Sequence, residues 1–310
     1  MSRQGDAGIS MAGAVGLLIL TGGLLSISIA ISRVGMDGGI PPLAYAFWFQ
    51  VVAAGGLLLT VLLRGEMRRP RRGEIVYMMI GAVISFTAPN ALLVYVVQAM
   101  GAGFGSFAFA FSPIFTYVIA VLVGLDRLSA MAVGGLGLGF VGAAAILGST
   151  LGADNLDLAW AALGLLIPLS LAFGNVFRSW FWPKGASPLF LAAGMMTFSA
   201  LGSGGLHAVI GAGYQPFGEG TGMEWTFAIH GGLIALQYVL FFALQLAAGP
   251  FFISQISYVI LVIGMAIGVL VLGEHYPVLL YLAGLLIMAG VILVSRHTAR
   301  RLAERRAADA

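Results

Sequence analysis

From Ile75 to Leu125 the chain runs without a single Asp, Glu, Lys or Arg. That is too long for one helix across a hydrocarbon core of about 30 Å, which takes roughly 20 residues. Gly101, Gly103 and Gly105 weaken the helix inside the run and divide it into two spans. The same reading along the chain predicts ten apolar spans, at 11–32, 42–63, 75–98, 103–125, 129–149, 158–181, 187–211, 226–247, 251–272 and 277–295. Their apolar runs are continuous, whereas barrel strands alternate apolar with polar residues. Helices also close their backbone hydrogen bonds locally, as lipid demands. The expected fold is all-α and integral to the membrane, with ten transmembrane helices.

Parts of the pattern recur. Gly16-Leu17-Leu18-Ile19 returns as Gly164-Leu165-Leu166-Ile167, an offset of 148 that also carries Asp126 onto Glu274 and Gly142 onto Gly290. An offset of 147 carries Asn90 onto Gln237 and Gln98 onto Gln245. The chain therefore reads as two five-helix repeats, residues 1–150 and 151–310. Five is odd, so the second repeat is inverted in the membrane. Inverted repeats place a substrate site near the midplane at their interface and alternate its access, which points to a transporter.

Charge sets the orientation. With both termini cytoplasmic, inner segments hold Arg3, Arg64, Arg68, Arg69, Arg71, Arg72, Arg127, Arg178, Lys184, Arg296, Arg300, Arg301, Arg305 and Arg306, and only Arg33 falls outside: 14 against 1 of 15. That asymmetry is the positive-inside signature, and it predicts that both termini are cytoplasmic. The net charge of +3 sits in clusters beside apolar spans, so its partner is anionic inner-leaflet lipid and not nucleic acid. The tail from Arg300 to Ala310 reads as a frayed helix on that leaflet. Composition agrees: 60% of residues are hydrophobic and 9% charged, against about 25% charged in soluble domains. The apolar run Met11–Ile31 exceeds a secretory h-region and reads as a retained span. The absence of cysteine excludes disulfides, Cys-ligated zinc and thiol catalysis.

Candidate chemistry is neutral. Arg178, beside Trp180 and Trp182 at the end of span 6, reads as a snorkelling anchor, which leaves no ionised group in the middle of a span. Buried amides offer donors and acceptors together, enough for an ammonium and a carboxylate. The candidate substrate-binding residues are Asn90, Tyr95, Gln98, Asn175, Gln237, Gln245 and Tyr258. Asn90 follows Pro89, which frees a carbonyl one turn earlier and opens the helix. Asp126-Arg127 and Glu274-His275 read as interface charges that end their spans. His207 and His230 are of the residue type suited to proton relay near neutral pH, but the sequence offers neither an intramembrane carboxylate to relay a proton to. No motif supports an enzyme, a metal site or a cofactor, and Gly202-Ser203-Gly204 reads as close helix packing. A monomer or loose dimer is expected.

Leu272-Gly273-Glu274, followed by Gly284-Leu285-Leu286-Ile287-Met288-Ala289-Gly290-Val291, resembles the ending of EamA-type ten-helix exporters of the drug/metabolite transporter superfamily. Gly124-Leu125-Asp126-Arg127 is its first-half counterpart, and Ser112-Pro113-Ile114-Phe115 resembles another segment of the family. Pro89-Asn90-Ala91-Leu92-Leu93-Val94-Tyr95 is similar to the aromatic amino-acid exporter branch. The resemblance implies export of aromatic and apolar amino acids and related small metabolites, with a broad-specificity multidrug exporter as the alternative. Two departures stand out. Gln50 lies near where the family often has a basic residue, which argues against anionic metabolites, and Asp126 replaces the usual Glu.

Overall fold

The computed structural model describes residues 11–93, 96, 109, 111–150, 158–210, 213–214, 216, 221–272 and 278–309, and the regular structure among them is helical. The helices are α1 (Met11–Asp37), α2 (Pro42–Leu63), α3 (Arg72–Ala82), α4 (Ser112–Leu122), α5 (Ala130–Thr150), α6 (Leu158–Trp180), α7 (Pro188–Ile210), α8 (Glu224–Ser254), α9 (Ile256–Leu272) and α10 (Val278–Asp309). Helix α3 continues through a π-helical stretch, Val83–Thr87, so that one apolar rod reaches Leu93. Among the described residues, seven rods are long and apolar enough to cross a membrane, and α4 and α5 contribute shorter apolar stretches. Leu63, Leu122 and Val209 are 78%, 79% and 82% exposed. So much outward-facing apolar surface suits lipid and not water.

Sequence chemistry explains where the rods end or bend. Pro42 and Pro113 occupy first turns, where the missing N–H costs nothing. Gly249, between the spans predicted at 226–247 and 251–272, is the one non-helical residue inside α8, with φ 84° and ψ 178°. Glycine adopts that conformation without a Cβ penalty, and Pro250 after it cannot continue the ladder. The tail departs from expectation. It does not fray: α10 runs unbroken from Val278 to Asp309.

Packing joins the two halves of the chain. Helix α5 lies along α10, α2 along α7 and α8, and α1 along α8 and α9. Helix α6 sits against α3 and α4. The α5–α10 seam depends on close backbone approach. A Cβ on Gly142 would lie 2.6 Å from the Ala283 carbonyl oxygen, and one on Gly290 would lie 2.5 Å from the Gly135 carbonyl oxygen. Adding 148 to Gly142 and to Gly135 gives Gly290 and Ala283, so the two contacts are one contact made twice. Apolar side chains form a core under α2, α3, α7 and α8, around Leu57, Met195 and Phe242. A second core, around Leu18, Leu244 and Ile287, lies where α1, α5, α8, α9 and α10 meet.

Candidate functional site

Pro89 shapes the site from a distance. It has no N–H, and its ring crowds the carbonyl of Ser85 four residues earlier. The helix responds by widening into the π-helical stretch, where the Ala88 N–H donates to the Val83 carbonyl. The Ile84 carbonyl there accepts from Ser170 Oγ of α6 at 2.7 Å. The Ser85 hydroxyl also faces α6, where it accepts from Nη1 of Arg178.

Arg178 is 2% exposed, so the expectation of a snorkelling anchor is overturned. The cause is directional. Cα–Cβ bonds tilt toward a helix's N-terminus, so a long side chain near the C-terminal end of α6 reaches back along the helix and not out past its end. Asn175 lies three residues earlier on the same face and accepts from Nη2 at 2.6 Å. Nε donates to Gln245 Oε1 of α8 at 2.8 Å. The Gln245 amide in turn donates to the Asn175 carbonyl at 2.8 Å and to Ser179 Oγ at 3.0 Å. Asn175 Nδ2 donates to Thr116 Oγ1 of α4 at 3.4 Å, and the Tyr77 hydroxyl donates to the Arg178 carbonyl at 3.1 Å. The Phe241 and Phe86 rings flank the guanidinium, with centroids 5.0 and 5.8 Å from Cζ. Among the described residues no carboxylate pairs with it. The result is a permanent cation, held by neutral acceptors where α3, α4, α6 and α8 converge.

Two candidates from the sequence, Asn175 and Gln245, meet in this cluster. Asn90 is half-buried on the continuation of α3 and is not among Arg178's hydrogen-bond partners. Gln237 is buried two turns before Gln245, and its Oε1 has no partner among the described residues. Tyr258 is fully buried, with its hydroxyl toward the Leu136 carbonyl at 3.5 Å and its ring against Gly139. Tyr95 and Gln98 lie outside the described residues, as does Glu274-His275.

Other polar groups form separate networks. Gln50 bridges α2 to Ser199 and Ser203 of α7, and Ser199 meets Thr87 at 3.2 Å. His230 stacks on Phe49, with ring centroids 4.1 Å apart, and its Nδ1 lies 3.3 Å from the Tyr45 hydroxyl. Asp126 is more enclosed than a charge that only ends a span needs to be: it is 7% exposed. Its carboxylate meets His297 Nε2 at 3.2 Å and the Arg301 guanidinium, both from the extended end of α10. A cavity of about 40 Å³ lies between this ion cluster and the Arg178 network, and Ser179, Gln245, Gly249 and Arg301 are among its lining residues. The larger hollow, about 420 Å³ between α4 and α5, is apolar; Arg178 and its partners do not line it, while Tyr117 in its wall packs edge-on against His297.

Comparison with known proteins fits this architecture. Residues 13–148 match the EamA-like transporter family. With its apolar helices, the chain is a multi-pass membrane protein carrying a region similar to that family. A solved crystal structure superposes with a TM-score of 0.70 over 93% of this chain and 97% of its own, at 16% identity. At that identity the likeness establishes the fold and carries nothing about substrate. A comparison with curated proteins finds no match.

Proposed function

We propose that the chain is a small-molecule exporter of the bacterial inner membrane, with both termini cytoplasmic and two inverted five-helix repeats that alternate access to a site between them. Its cargo is aromatic and apolar amino acids and related metabolites. The observation that carries this reading is the polar crossroads. Ser85 and Thr116 come from residues 1–150, while Asn175, Arg178 and Gln245 come from residues 151–310, which is where a repeat interface would put a substrate site. The EamA-like match over residues 13–148 supports the transporter class. The Gly142–Ala283 and Gly290–Gly135 contacts support the repeat, because they exchange under its own offset of 148. The pairing of α1 with α8 and α9, against that of α6 with α3 and α4, supports it too.

The remaining candidates, Asn90, Tyr95, Gln98, Gln237 and Tyr258, stay in the proposed substrate pathway. The alternative of a broad-specificity drug exporter fits cationic drugs poorly, since at the crossroads they would meet a cation. Purified protein in liposomes tests the proposal. Radiolabelled Phe and Leu should cross at least several-fold faster than in empty vesicles, and equal rates refute amino-acid export. Asn90→Ala and Asn90→Leu should each slow Phe flux; wild-type flux in both at equal reconstitution removes Asn90 from the pathway.

A further inference from the structure

Arg178 is more than another polar residue of the crossroads. We infer that it is the receptor for a carboxylate on the transported molecule, so that the site selects organic monocarboxylates over amides, amines and cations. This rests on the exporter reading and narrows its substrate class.

Four observations converge. First, an ionised side chain inside a bilayer costs at least about 2.5 kcal/mol, and such residues mark function. Second, structural buried cations are held by counter-charges, whereas the described partners of Arg178 are the neutral oxygens of Ser85, Asn175 and Gln245. Third, those three bonds engage three of the five guanidinium N–H donors. The cradle fixes the planar fork while donors remain for the two oxygens of a carboxylate, the pairing that guanidinium geometry matches best. Fourth, Phe86 and Phe241 wall the guanidinium, so the group attached to the carboxylate is met by apolar surface. Gln245 and Ser179, which belong to the network, also line the small cavity beside it. The guanidinium is thus one hydrogen bond away from a space that opens toward the α10 end of the molecule. The Gln50 departure in α2 does not argue against anions after all, because the cation is supplied from α6.

Four ligands of one shape test the inference: L-phenylalanine, 3-phenylpropionate, L-phenylalaninamide and phenylethylamine. Binding to purified full-length protein is read by intrinsic fluorescence, since Trp182 lines the cavity, and by thermal shift. Flux is read in liposomes. Phenylalanine and 3-phenylpropionate should bind, while the amide and the amine should bind at least about thirtyfold more weakly, as expected when a buried charge loses its partner. Arg178→Gln should erase the discrimination, and Arg178→Lys should retain part of it. Because wild-type discrimination is measured without any variant, a misfolded Arg178→Gln leaves the test intact. If phenylalaninamide binds and crosses as well as phenylalanine, the carboxylate receptor is refuted and the exporter reading stands. If 3-phenylpropionate binds through Arg178 yet nothing crosses the membrane, the exporter reading falls and the anion site stands. If no carboxylate binds at all, the inference is refuted.

Discussion

Replacing Gln245 by Glu should make the protein more stable and less able to transport. The substitution is isosteric and puts a carboxylate oxygen where Gln245 Oε1 now accepts from Arg178 Nε at 2.8 Å. Taking about 4 Å between charge centres and an effective dielectric of about 20, the new attraction is worth about 4 kcal/mol. Against it stand the two bonds donated by the Gln245 amide, to the Asn175 carbonyl and to Ser179 Oγ. Each costs about 1 kcal/mol to lose, and the new oxygen also faces the Asn175 carbonyl. The balance is a gain of about 1–2 kcal/mol. In a protein of this size that raises the melting temperature by a few degrees. A resident carboxylate also occupies the cation meant for cargo, so Phe efflux should fall at least about tenfold. Melting in detergent and flux in liposomes are read on the same preparation. A Gln245→Glu protein that melts below wild type and exports Phe at the wild-type rate would refute the picture of an uncompensated, cargo-binding cation.

Three further perturbations reach other parts of the structure. Gly142→Ala and Gly290→Ala should each destabilise by about 1–3 kcal/mol or more, because the added methyl meets backbone across the α5–α10 seam. Gly55→Ala, with nothing within 4 Å, should melt like wild type, and tolerance at both seam positions would refute the close approach. Pro89→Ala returns an N–H to the Ser85 carbonyl and should relax the π-helical stretch, raising the melting temperature while weakening carboxylate flux through the loss of the Ser85–Arg178 bond. Unchanged flux would break that link. Asp126→Asn removes the partner of His297 and Arg301 and should speed tryptic cleavage at the α10 tail severalfold, since breaking a buried ion pair leaves the Arg301 guanidinium unpaired. An unchanged digestion rate would mean that the tail is held by something else.

The rods were legible because their ends are chemical. Span 42–63 is α2 to the residue, bounded by Pro41-Pro42 and Arg64, and the Gly249-Pro250 break was foreseeable from the two residue types alone. The site was half legible. Asn175 and Gln245 stand out as amides in apolar runs, and they do meet. Arg178 was assigned to the wrong environment because Trp180 and Trp182 beside it mark an interface. Position along a helix does not reveal which way a long side chain runs; the Cα–Cβ tilt and an acceptor three residues earlier do. The proposed repeat offers no warning, since the counterpart of Arg178 at offset 148 is Ala30. Ser85 and Thr116 were invisible for another reason. Hydroxyls inside apolar helices commonly bond their own preceding carbonyls, as Ser28 and Thr197 do here, so residue type alone does not mark the few that reach a neighbouring helix.

Two charged clusters flank one small space, and their difference in chemistry bears on how an exporter built this way would move. At the α10 end, Asp126 is matched by His297 and Arg301; deeper in, Arg178 is matched by no described carboxylate. The space between them, about 40 Å³, holds little more than a water molecule, so no amino acid fits without helix separation. On the exporter reading, separation has to part α4 from the end of α10, because the Asp126 cluster spans that gap and Arg301 also lines the cavity. A matched ion pair suits that role, since it is stable when closed and each partner regains water when opened. An unmatched cation suits the opposite role: it is costly when empty and relieved when cargo arrives. Cargo binding then favours whichever arrangement encloses Arg178 most completely, and release follows when water reaches the guanidinium from the other side.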